Sequence, residues 1–170
     1  YRHNNDEELG VNTNINIDEK IRTMQKKVYL PYIEKYFEDR KFSYFEYSPG
    51  GPPEIDYIRH STFDINDGRQ SLGIQNTFSF IQEGLNGIDV FLDNIQHRAE
   101  GQMTGMRGLL EFAYNHKDEI KNLVKTEREK LVNNKVSDTV AIQLDHFSDG
   151  SKLELPLLSY YTNKDTLVTV

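Results

Sequence analysis

The stretch Gln75-Asn76-Thr77-Phe78-Ser79-Phe80-Ile81-Gln82 constrains the fold more than any other part of the chain. It alternates as a strand does, with Thr77, Ser79 and Ile81 on one side and Phe78 and Phe80 on the other. Longer segments with apolar residues at helical spacing lie on both sides of it. Upstream, Ile21, Met24, Val28, Tyr32 and Tyr36 recur at three- and four-residue steps, with Ile33 and Phe37 beside them. Downstream, Val90, Phe91, Ile95, Met103, Met106, Leu109, Leu110 and Phe112 give a long helical region an apolar side. A strand between amphipathic helices belongs to an α/β fold, in which helices cover a sheet.

The remaining segments extend this pattern. Residues 1–17 are polar and rich in Asn and read as loop or terminus. Asp18 is a candidate N-cap, and Pro31 should kink or restart the first helix. Phe42 to Tyr47 reads as a short aromatic strand, ended by Ser48-Pro49-Gly50-Gly51-Pro52-Pro53. Glu54 to Gly73 reads as a long irregular loop. Asp89 is a candidate cap for the long downstream helix, where Gly101, Gly105 and Gly108 permit close approach to another element. Lys117 to Val132 reads as a further helix, with Ile120, Leu123, Val124 and Leu131 on one side and charge on the other. The character changes after Asn133-Asn134. Strands are predicted over Thr139 to Leu144, Ser151 to Leu158 and Tyr160 to Val170, with turns at Asp149-Gly150 and Asn163-Lys164-Asp165. The chain thus divides at 1–134 and 135–170, the second part a small antiparallel β unit.

Composition narrows the function classes. The 170 residues suffice for one core, although only 36% are apolar, so the ten Tyr and nine Phe must carry much of it. A formal charge of −7 argues against nucleic acid or an anionic membrane as the main partner. No apolar stretch approaches the roughly 20 residues of a membrane-spanning helix. There is no cysteine, which excludes disulfides, thiol catalysis and thiolate metal sites. The opening Tyr1-Arg2-His3 reads as part of a longer protein.

Few motifs carry chemistry. His97-Arg98-Ala99-Glu100 and His116-Lys117-Asp118-Glu119 each match H-x-x-E, a spacing that puts two metal ligands on one helix face. Chance produces such matches often, and a helical His–Glu pair on a charged face is usually just solvated. Asp64-x-Asn66-x-Gly68 begins like a calcium loop but lacks the rest of the spacing. Neither nucleotide-binding glycine fingerprint nor a Gly-x-Ser-x-Gly elbow occurs. Glu83 remains. A carboxylate leaving a strand between apolar neighbours and a glycine sits where α/β folds place ligand chemistry, and apolar flanks suit a general acid/base. The competing reading is a Glu that turns into solvent.

The run Asp67-Gly68-Arg69-Gln70-Ser71-Leu72-Gly73-Ile74-Gln75-Asn76 through Phe80-Ile81-Gln82-Glu83 resembles the C-terminal half of bacterial zinc carboxypeptidases, the metallocarboxypeptidase family. There a Gly-x-x-Asn segment leads into an aromatic strand ending in the catalytic Glu. A long helix follows, with an Arg-containing turn similar to Gln96-His97-Arg98. The likeness is best over Ile58 to Tyr114, roughly a third of the chain. It implies part of a mixed sheet flanked by helices, with residues 135–170 the start of a β-rich extension. It implies a peptidase acting on peptide or protein substrates, with Glu83 as general base and Arg69 on the substrate side. Zinc belongs to the intact protein, with none held by this chain alone, and the protein is secreted or periplasmic. Both H-x-x-E stretches follow Glu83, whereas the family's zinc pair precedes its Glu. The resemblance therefore gives no metal ligand to His97, Glu100, His116 or Glu119, and His3 stays unassigned. The alternative is a non-catalytic binding module or pseudoenzyme within a larger extracellular protein.

Overall fold

A computed structural model describes residues 5–49, 61–84, 94–135, 139–145, 147–152, 154–162 and 164–169. His3, the Pro52-Pro53 break, Asp89, Val90, Phe91 and Asn163 lie outside them. The described fold is mixed α/β.

Residues 5–17 of the Asn-rich start are not loose. Glu7–Gly10 forms strand β1, the central strand of a three-stranded sheet. Residues 11–14 that follow have no ladder partners, yet Val11, Asn12 and Asn14 are buried. Side chains satisfy the backbone there, as burial demands. Gln70 Oε1 accepts from the backbone N–H groups of Thr13 and Asn14, each at 3.0 Å, and Gln25 Oε1 accepts from Asn12 N at 3.2 Å.

Asp18 caps helix α1 (Glu19–Met24), accepting from Lys20 N at 2.9 Å. A π turn over Gln25–Tyr29 follows, and helix α2 (Leu30–Glu38) restarts with Pro31 in its first turn, where a missing N–H costs nothing. The wider π turn changes the phase of the apolar stripe. Tyr29 enters the core fully buried, while Val28, expected inside, is 42% exposed. Strand β2 (Tyr44–Glu46) then pairs parallel to β1, Glu7 to Tyr44 through Leu9 to Glu46. Parallel neighbours need a crossover of a dozen or more residues, and the helical segment 19–38 supplies it.

The expected loop of residues 54–73 contains a short helix, α3 (Gly68–Gly73). Asp67 caps it by accepting from Arg69 N at 2.9 Å and Gln70 N at 3.3 Å. A turn through Asn76, at φ 50°, leads into extended residues 77–80. Strand β3 (Ile81–Gly84) pairs antiparallel to β1, giving the order β2-β1-β3. Phe78 and Phe80 pack on the core, with Tyr29 and Phe80 ring centroids 4.3 Å apart.

Helix α4 (Ile95–Asn115) packs on α2 and the sheet through part of its expected apolar side, Leu109 and Phe112, together with its glycines. Gly101, Gly105, Gly108 and Phe112 are its buried residues, while Met103, Met106 and Leu110 are exposed. A Cβ at Gly108 would meet Ile33 Cδ1 and Tyr36, and one at Gly105 would meet the Gln82 amide. The glycines buy closeness, and that closeness fixes the helix orientation. Helix α5 (Lys117–Val132) falls where the sequence puts it. Glu127 is its one fully buried acid, beside Lys20 of α1 at 3.4 Å and Lys130.

The tail has an antiparallel pair, β4 (Glu154–Leu158) with β5 (Asp165–Thr169). The strand predicted over Thr139 to Leu144 does not form. Instead Ala141 exchanges two hydrogen bonds with the Asn16 side chain, both 2.8 Å, so a side chain takes the backbone groups a ladder would use. Gly150 turns at φ 82°, but the described residues next to Asp149-Gly150, 147–148 and 151–152, are not in strands.

Candidate active site

Glu83 lies within β3, not beyond the end of a strand finishing at Gln82. The earlier residues are diverted from the ladder. Thr77 O accepts from Asn12 Nδ2 at 2.9 Å and Ser79 O from Gln25 Nε2 at 3.4 Å. Pairing with β1 begins only at Ile81, opposite Gly10. The register then sets Glu83 directly across from Glu8, and alternation puts Glu8, Gly10, Ile81 and Glu83 on one face of the sheet.

That face gathers polar groups. Glu8 is 1% exposed, and its Oε2 accepts from Ser48 N at 3.4 Å. Tyr47 extends the β2 ladder through its N–H to Leu9 O at 2.9 Å and donates its hydroxyl to Glu83. Burial, then the charge and hydrogen bond of Glu83, push the Tyr47 phenol up to about 12. Arg69 is 4% exposed, with its guanidinium carbon 5.4 Å from the Tyr47 ring centroid. Its Nε donates to Asp67 Oδ1 at 3.2 Å and its Nη2 to Ser61 Oγ at 2.5 Å. Its Nη1 has no hydrogen-bond partner and lies where a side chain on Gly10 would begin. Glu83 and Arg69, the two site residues picked from sequence, are thus bridged by Tyr47. The sequence reading missed Glu8. Its signal was the alternation Glu8, Gly10 against Leu9, Val11, hidden by polar neighbours.

The opposite face carries a second acid. Glu7 is fully buried against α4, and its Oε2 accepts from Gln82 Nε2 at 2.6 Å and Gln102 Nε2 at 2.7 Å. Its Oε1 has no partner. Burial pushes the carboxyl up to about 8, the Gln82 bond pulls it down, and the charge of Asp6 adds to the rise.

The histidine motifs do not assemble a site. His97 turns to Asp6 Oδ1 at 2.6 Å and stacks on Phe42, while Glu100 accepts from Gln96. His116 Nδ1 and Glu119 Oε2 stand 3.1 Å apart at the start of α5, with no third ligand gathered by them. Among the described residues no three His, Asp or Glu side chains converge on a point that could hold a metal. In the supposed calcium segment Asp67 is a helix cap and ion-pairs with Arg69. A cavity of about 720 Å³ lies along α5, lined by Ala113, Ile120, Val124, Lys121, Lys125 and Arg128 among others; neither Glu83 nor Arg69 lines it. No described helix is long and apolar enough to cross a membrane. Comparison with protein-family models, with curated proteins and with solved structures finds no match to this chain.

Proposed function

We propose that the chain carries the proton-transferring carboxylate of a zinc-carboxypeptidase-like peptidase, with Glu83 as general base in peptide-bond hydrolysis. The observation that supports this reading is the gathering of Glu83, the Tyr47 hydroxyl, Glu8 and the Arg69 guanidinium on one sheet face. Glu83 takes the proton of an attacking water and hands it to the leaving amine. Tyr47 holds the carboxylate in place through its hydroxyl. The unpartnered Nη1 of Arg69 offers a buried donor to an anionic group of the substrate. Peptides or proteins are the substrates, and the protein acts outside the cell or in the periplasm.

Zinc in such a peptidase supplies Lewis acidity toward the scissile carbonyl. The described residues do not fit the ion, since they bring no three ligands together. Its ligands would come from other residues.

In the full-length protein Glu83→Gln should lower kcat by about two to four orders of magnitude, the usual worth of a general base, with zinc content unchanged. A variant with near-normal peptidase activity would remove Glu83 from the mechanism. The second reading, a binding module, is favoured by one feature. Met103, Met106, Leu110 and Tyr114 make a stripe on α4 that is 52, 61, 67 and 70% exposed, and such stripes mark contact surfaces. A wild-type protein without peptidase activity would favour it.

A further inference from the structure

We infer that Glu7 is a positioning residue, whose carboxyl ties strand β3 to helix α4 and so sets where Glu83 stands on the far face of the sheet. The inference rests on the reading of Glu83 as the site carboxylate. The geometry is specific. Oε2 receives two amide donors from different elements, Gln82 of β3 at 2.6 Å and Gln102 of α4 at 2.7 Å. Gln82 Nε2 also reaches Gln102 O at 3.3 Å, closing the link between strand and helix. Oε1 points into the space left by two glycines, since a Cβ on Gly84 would meet it at 3.2 Å and one on Gly101 would overlap it. Gln82 and Gly84 flank Glu83, so anything that moves this carboxyl moves both neighbours of the proposed base.

Burial favours the neutral carboxyl here, up to about pH 8. A neutral Glu7 fits between two neutral amides, whereas an ionised one brings a charge to an Oε1 with no donor. The surrounding charges do little to relieve it. On β1, Asp6 is engaged with Ser43 and His97, and Glu8 faces the other way. On β3, Glu83 also faces the other way. From α4, His97 is turned to Asp6, and the charge that bears on Glu7 is that of Asp6, which raises its pKa further. Above the Glu7 transition, strand and helix are therefore expected to separate slightly.

The test is an NMR pH titration of this chain with labelled glutamate carboxyls and backbone amides. The Glu7 carboxyl should titrate near pH 8, and the amides of Gln82, Glu83 and Gly84 should shift with the same midpoint. In Glu7→Gln, a neutral isostere, those amide shifts should vanish while the spectrum stays dispersed. In Gln102→Ala, which deletes one donor from the helix side, the β3 amides should already sit part-way toward their high-pH positions at neutral pH. A wild-type titration in which Glu7 ionises while the β3 amides stay still would overturn the inference, whatever the variants do. So would a β3 shift that persists in Glu7→Gln. Neither result depends on peptidase activity, so failure of the Glu83 mechanism is read separately.

Discussion

Tyr47 gives the Glu83 site its own reporter. Its phenol is held up at about 12, first by burial and then by the charge and hydrogen bond of Glu83. Glu83→Gln removes the charge and keeps the burial. The Tyr47 titration, followed by ring NMR, should therefore drop part of the way toward the ordinary value near 10. An unchanged titration would mean that the hydroxyl and carboxylate do not meet. Of the residues gathered in this candidate site, only half were legible in the sequence. Glu83 stood out because a carboxylate closed an aromatic run, and Arg69 because of the family likeness. Glu8 gave no such contrast, since it is one acid among many in a polar segment. Its importance comes from register, and register depends on where β3 begins pairing. That start is set by Asn12 and Gln25, side chains far away in sequence that occupy the carbonyls of Thr77 and Ser79.

At the scale of elements, the contact between α4 and α2 turns on one missing methyl group. Gly108→Ala would gain up to about 1 kcal/mol of helix propensity. The added Cβ, however, would press on Ile33 Cδ1 and come within 2.9 Å of the Tyr36 ring, both in the core. Overpacking of this kind costs about 1–3 kcal/mol, so the net change should be destabilising, about 1 kcal/mol in chemical denaturation. A stabilised variant would show that α4 does not sit this close to α2. The same helix explains a misreading. Periodicity counted Met103, Met106 and Leu110 on the inner side with Leu109 and Phe112, and of these only the last two reach the core. Packing chose the glycine face because it allows the backbone to approach, a benefit invisible to a count of apolar residues. Helix α5, with no glycine and no proline inside it, has the bounds its pattern predicts, but the residue it buries is Glu127, from the charged side. The π turn before Pro31 is the opposite case, where one local irregularity exchanged Val28 for Tyr29 in the core.

Across the whole molecule, two buried acids make stability depend on pH in opposite directions. Glu127 joins α5 to α1 through Lys20, and its backbone carbonyl accepts from Asn76 Nδ2 at 3.2 Å. Burial opposes its charge, but the hydrogen bonds and charges of Lys130 and Lys20 outweigh that and hold its pKa below the ordinary 4.5. Its contribution is thus present above the unfolded value and is lost as pH falls through the folded one. Asp6, held low by Ser43 and His97 against its burial, acts in the same sense. Glu7 does the reverse. Its folded value of about 8 lies above the unfolded 4.5, so the folded state keeps a proton that the unfolded state has released. Its contribution is complete below about pH 4.5 and drains away as pH rises to about 8. Thermal melts from about pH 3 to 9 should therefore give a Tm that peaks in the weakly acidic range and falls on both sides. Glu7→Gln should flatten the fall between about pH 5 and 8 and leave the acid side alone. Glu127→Gln should lower Tm and weaken the acid-side fall while leaving the alkaline decline intact. An alkaline decline of equal steepness in Glu7→Gln would mean that another group loses its proton as the protein weakens. The sheet and α4 would then be held together by apolar contacts, with the carboxyl a passenger between them.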